Sequence, residues 1–337
     1  MKTKTTTYVV HSIAAAALLL TAQISLAGSA TWLSSPQDSA WENANNWTPG
    51  GPPNWPSDIA TFSKSSQTDV DLSTSVEVNS LLFTANSSAF TFNISPDGAF
   101  GGELIISGAG VANNNSVLQT FLVRNGGQLV FNNSSTAASA HMSICNGCLA
   151  NSGEDSTGAT IFNDTSSAAG ASIGNESASG FDGDIGRTTF NGASTADHAS
   201  ISNYGAGGSH GVGGQTTFND TSTAANASID NFESGPASTA DSALTIFNDA
   251  STAGHATITS HGGNFAGGTI FNDSSTGGTA RVKVFDNGYL DIRNHQSGLT
   301  IGSIEGSGDV FLGANDLSVG TRNINTVFSG VLPTGHR

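Results

Sequence analysis

The chain has two cysteines, Cys145 and Cys148, three residues apart in the stretch CNGC. Such a pair can close a local disulfide, cycle as a redox dithiol, or supply half of a zinc site. Redox dithiols of the thioredoxin kind open a helix within an α/β framework, and no helical periodicity surrounds this pair. Zinc needs a second ligand pair, which the sequence lacks. The expectation is a disulfide across the Asn146-Gly147 turn.

Carboxylates are the second candidate chemistry. Asp164, Asp220, Asp249 and Asp273 each follow a phenylalanine by two residues. Aligned in space, they would either stay in water or recruit Ca²⁺, which prefers carboxylate and carbonyl oxygens. Gly192 interrupts the row and no Gly-Gly-x-Gly-x-Asp calcium repeat occurs, so solvated turn residues are expected and no metal or cofactor is assigned. The fragments Ser209-His210-Gly211 and Arg281-Val282-Lys283 loosely resemble short motifs of polygalacturonase-like enzymes. Glycoside cleavage also requires a pair of carboxyl groups, one to protonate the leaving group and one to activate water. No Asn-Thr-Asp or Asp-Asp element precedes the fragments, so no catalytic residue is assigned and an enzyme is not expected. The eight histidines are scattered without metal spacing, although His198 and His255 occupy one repeated slot.

That slot belongs to a repeat of about sixteen residues, seen in TIFNDTSSAAGASIGN, TTFNGASTADHASISN, TTFNDTSTAANASIDN and TIFNDASTAGHATITS. Aligned on Phe131, Phe162, Phe190, Phe218, Phe247 and Phe271, the copies recur every 24–31 residues. Asn follows each Phe, Ser stands four places on and Ala nine. Eleven places on come Met142, Ile173, Ile201, Ile229, Ile258 and Val282. Two short strands account for the spacing. Thr-Thr-Phe turns its Phe inward before an Asn-Asp corner, and Ala-Ser-Ile turns Ala and Ile to one face. β-Branched residues, Gly and Asn dominate without a 3.6-residue period, which excludes helix. One unit cannot bury its Phe and Ile alone, whereas stacked copies bury them against one another. The period suits an all-β parallel β-helix over residues 68–328. Propeller blades need about 40–50 residues and four strands.

Charged residues are only 11% of the chain, against an average near 25%. Such a bias accompanies disorder, but apolar residues spaced this regularly indicate a packed interior. Residues 1–27 read as a secretory signal, with Lys2 and Lys4, an apolar run of about ten residues and a Ser25-Leu26-Ala27 cleavage site. The run is short of the roughly 20 residues that span a bilayer, and no later segment is expected to cross as a helix. Cleavage would remove two of ten basic residues and no acidic one, moving the formal charge from −16 to −18. A surface this acidic disfavours nucleic acid and anionic lipid as partners.

Trp32, Trp41, Trp47 and Trp55 all fall within residues 28–67, with five of the eight prolines. Clustered indoles can stack on sugars, or they can cover the open first rung, as every solenoid requires. A cap is the expectation. With the β-repeats that follow, the pattern Trp32, Trp41, Asn46-Trp47, Pro53, Asp58 and Phe62 resembles bacterial autotransporter-type passenger proteins. The stretch TVFSGVL, Thr326–Leu332, is similar to the lead-in to their β-strand repeats. The resemblance implies a right-handed β-helix exported by a Gram-negative cell to the outer membrane or medium. A non-enzymatic adhesive or matrix role is expected, because a long ladder of Ser, Thr and Asn offers many weak polar contacts suited to host or matrix carbohydrate or to self-association. No C-terminal membrane barrel is legible, so residues 329–337 are expected to be a truncated or unpaired tail. A carbohydrate-active β-helix enzyme and a remnant of a larger passenger are the alternatives.

Overall fold

The computed structural model describes residues 28–95, 102–138, 141–148, 157–177, 185–206, 212–235 and 242–333. The expected signal over 1–27 and the Ser209–Gly211 fragment lie outside them. From Ile59–Phe62 onward strands fall alternately into two sheets, with Leu299–Ile301 and Leu317–Val319 forming a short third one. A thirteen-strand sheet runs from Trp47–Thr48 to Asp309–Phe311, and a ten-strand sheet from Asp69–Leu72 to Ser303–Gly306. Within the repeats, each strand pairs in parallel with its equivalent one repeat away. A third line of single parallel bridges joins Thr136, Ser167, Thr195, Thr223, Thr252 and Thr276. The protein is an all-β parallel β-helix with one 3-10 turn, Ala44–Asn46, and no α-helix among the described residues.

Stacking is what holds the rungs. Phe131, Phe162, Phe190, Phe218, Phe247 and Phe271 lie in register, fully buried, with successive ring centroids 4.7–4.8 Å apart. Their planes are within 10° of parallel. Burying each ring is worth about 1.5–3 kcal/mol, and adjacent aromatic pairs add roughly 0.5–1.5 kcal/mol. Ile173, Ile201, Ile229, Ile258 and Val282 form the matching column in the other sheet.

Met142 does not join that column. Ile144 pairs with Ile173, and Met142 lies two residues earlier on the same buried face, one place before the Ser143–Ser172 pair. It therefore stands level with Ala171, the alanine position of the next copy. The first copy carries two extra residues between its corner at Ala138 and its second strand. An insertion of two preserves the inward-outward alternation, so the displaced side chain stays inside.

The corner after each Phe explains the Asn-Asp-Gly usage there. Asn133, Asp164, Gly192, Asp220, Asp249 and Asp273 all have φ between 52° and 64°. Gly carries no steric penalty in this left-handed region, and Asn and Asp tolerate it better than other residues.

At the N-terminal end Trp32, Trp41 and Trp47 are buried with centroids 4.7–6.2 Å from one another or from Phe62. Their indole N–H groups donate to the carbonyls of Gln67, Pro53 and Trp41 respectively. Ala30–Trp32 and Trp47–Thr48 pair antiparallel, ending the parallel stack. Trp55 stands apart from this cluster, 48% exposed. Its neighbours Pro53, Asn54 and Pro56 hold it in an irregular loop where no strand presses it inward. At the other end, Phe328 bridges Gly306 and Val331 bridges Asp309, so ladder pairing reaches beyond residue 328.

Candidate functional site

Four side-chain assemblies stand out. The first is internal. Asn146, Asn175, Asn203 and Asn231 are fully buried; the first three amides each donate to the Oδ1 of the next at 2.7–2.8 Å, and the last donates to the Gly268 carbonyl at 3.0 Å. Thr160, Thr188, Thr216 and Thr245 donate into the same oxygens at 2.7–2.8 Å. The column is a closed polar network inside an apolar coil, which satisfies the requirement that buried polar groups be paired. It was readable from parity: these Thr precede the inward Phe by two, and these Asn follow the inward Ile by two.

The second assembly lines the outer corner. Asn132, Asn163, Asn191, Asn219, Asn248 and Asn272 form an amide ladder with Nδ2-to-Oδ1 distances of 2.9–3.0 Å. Beside it the four aspartates of the interrupted row point back one rung. Asp164, Asp220, Asp249 and Asp273 accept from the backbone N–H of Asn133, Gly192, Asp220 and Asp249 at 2.8–3.2 Å. Each carboxylate thus ties one rung to the previous one.

The third assembly is an exposed column of rings, Tyr204, Phe232, His261 and Phe285, with centroids 5.3, 4.9 and 6.4 Å apart. Its first rungs instead carry Gly147 and Glu176. The Glu176 carboxylate lies 3.9 Å from the Sγ of Cys145, which is joined to Cys148 in a disulfide as expected. Burial pushes the Glu176 carboxyl above its usual range. Arg281 and Lys283, the fragment resembling an enzyme motif, face outward on this sheet. Arg281 holds both oxygens of Glu305 at 2.8 and 2.9 Å, and Lys283 lies 3.8 Å from the same group. His198 sits beside Asp197 and His255 beside Thr279, in separate exposed contacts.

The fourth assembly is a hollow of about 540 Å³ on the outer face of the thirteen-strand sheet, near its C-terminal end. Phe265, Tyr289 and Phe311 bring three rings to it, with Asn264, Asp291 and Arg293 between them. Tyr289 and Phe311 meet edge to face at 5.9 Å and 74°. The Arg293 guanidinium lies 5.0 Å over the Phe311 ring, a cation–π distance. Its Nε and Nη2 donate to Asp291 at 2.7–3.2 Å, and its backbone N–H adds a bond at 3.0 Å. Hydrogen bonding to Asp291 holds Arg293 above its usual pKa range. The sequence carried one faint sign of this hollow: Asp291 stands in the outward slot held by Ile246 and Ile270 in the preceding rungs.

No protein-family model, curated protein or solved structure matches the chain. No described helix is long and apolar enough to cross a membrane.

Proposed function

We propose that the protein is an exported, non-enzymatic β-helical scaffold that serves adhesion or the build-up of a cell-surface matrix. One observation carries this reading. From rung to rung the Asn side chains bond to their own equivalents, the inner Thr hydroxyls donate to the buried Asn oxygens, and the corner Asp carboxylates accept from the backbone of the previous rung. Groups engaged in this way stiffen a rod and are not poised to transfer protons. The leader over residues 1–27 and the resemblance of the Trp32–Phe62 region to autotransporter passengers support export to the surface or medium. The acidic surface supports solubility there and disfavours nucleic acid.

Expression of the whole chain in a Gram-negative host tests the reading. The expected product begins at Gly28, lies outside the inner membrane, and retains cells or matrix polysaccharide on beads coated with it. An uncleaved chain in the cytoplasm, or coated beads that retain nothing, would overturn it.

A further inference from the structure

The hollow at the C-terminal end stands outside the ladder system, and its chemistry points to a ligand. It lies where the repeat is abandoned: Asp291 replaces the outward Ile of earlier rungs, and Phe311 pairs level with Asp291 one rung further. Departures from an otherwise consistent pattern concentrate at functional sites. Its volume falls in the range of small-molecule pockets, roughly 300–1,000 Å³. From these features we infer that the hollow binds a neutral saccharide, one or two pyranose rings long, without cleaving it.

Three properties select that ligand class. Tyr289 and Phe311 meet nearly at right angles, and Phe265 stands at the rim, 36% exposed. Rings so arranged offer both a floor and a wall to the C–H faces of a sugar. Between them lie fixed polar groups for its hydroxyls. The guanidinium of Arg293 uses Nε and Nη2 on Asp291, which leaves Nη1 as a donor locked in one orientation. Finally, the Arg293 and Asp291 charges cancel, so the hollow has no net attraction for an anion or a cation. Three N–H groups of Arg293 are spent on the Asp291 carboxylate, and among the described residues no second carboxyl group lines the hollow to form the pair that glycoside cleavage requires. The inference deepens the adhesive reading and rests on it only in that the sugar is held and not turned over.

Saturation-transfer NMR on the full secreted chain tests it, with cellobiose, maltose and lactose as neutral probes, digalacturonate as the anionic one and indole as a purely aromatic one. The expected result is transfer to the ring C–H protons of at least one neutral disaccharide, which stays intact on prolonged incubation. Phe265→Ala, at an exposed rim position, is expected to weaken binding about ten-fold with an unchanged melting temperature. Tyr289→Ala gives a second reading of the same contact. No transfer to any neutral sugar would overturn the inference, as would preference for digalacturonate or indole, or full binding by both variants. A disaccharide that binds and is cleaved would overturn the claim that the hollow only holds its ligand, and the non-enzymatic reading with it, while leaving the binding site itself in place.

Discussion

The rungs from Phe131 to Phe271 and those from Tyr289 to Val331 are built on the same coil but hold together differently. In the middle, each rung repeats the side chains of its neighbour, so amide bonds to amide and ring covers ring. Toward the C-terminus both ladders stop. The inner column passes from Asn231 to Ser260 and then to Val284. The outer one ends at Asn272, whose Oδ1 is buried without a donor. Arg293, two residues past Asp291, stands where the register of Ile270 with Asp291 would put the next asparagine. Its guanidinium turns to Asp291 and the hollow instead. Val319, Ile324, Val327, Val331 and Leu332 are exposed at this end, whereas three tryptophans are buried at the other. Exact repetition gives stiffness and commits the Asn and Asp side chains to one another and to the backbone. Breaking the repetition costs bonds and yields a concave surface.

The largest expected effect that tests this contrast is at the ring column. Phe218→Ala should cost about 3–5 kcal/mol in denaturant unfolding, because a stacked column cannot collapse around the void. Val331→Ala, on the half-exposed last bridge, should stay within about 0.5 kcal/mol. Similar losses at both would remove the distinction between the two regions.

Next comes the inner amide ladder. Asn203→Ala leaves the Asn175 amide and the Thr216 hydroxyl without their buried acceptor. The expected cost is about 2–4 kcal/mol by the same measurement. Asn191→Ala, on the partly buried outer ladder, should cost about 1 kcal/mol. An equal cost would show that burial does not set the worth of these bonds.

At the corner, Asp220→Ala should cost about 1–2 kcal/mol, since a Cβ without a local polar partner is strained at φ 55°. Asp220→Gly should lose less, because Gly192 already occupies the equivalent corner of the previous rung at φ 64°. If Ala and Gly behave alike, the carboxylate bond to Gly192 N–H matters more than backbone conformation.

The smallest effect concerns Glu176, where the ring column gives way to an acid. Its carboxyl is raised by burial, so the folded state holds the proton more tightly than the unfolded chain. The stability linked to this group is fully present below the unfolded pKa and lost as pH rises through the folded pKa. Glu176→Gln should therefore raise the melting temperature at pH 7 and change it little at pH 4. An equal change at both values would trace the effect to packing instead of charge.

Much of the coil was legible because its periodicity is written in residues with strong side preferences. A Phe and an Ile that recur in step must face the same interior, and an Asp or Gly two places after the Phe marks a left-handed corner. The buried Asn and Thr columns were overlooked because polar residues default to the outside in any reading of single repeats. Only parity with Phe and Ile, followed through both strands, places them inward. Met142 lies in the core as its repeat position implies, but two places before the Ile column, because counting from Phe131 carries no information about an insertion in the turn between strands.

The period, the all-β character and the Phe and Ile columns were set by local alternation and by apolar groups that one rung cannot bury. The pairing of Cys145 with Cys148 followed from two cysteines three residues apart. The tertiary structure alone decided that three of four tryptophans close the first rung while Trp55 remains outside. It also decided that Asp291 and Arg293 pair beside Phe311, and that a loop brings Phe265 to the same hollow. Those outcomes depend on how non-repeating segments lie across finished rungs, and contacts between segments distant along the chain leave no period to read.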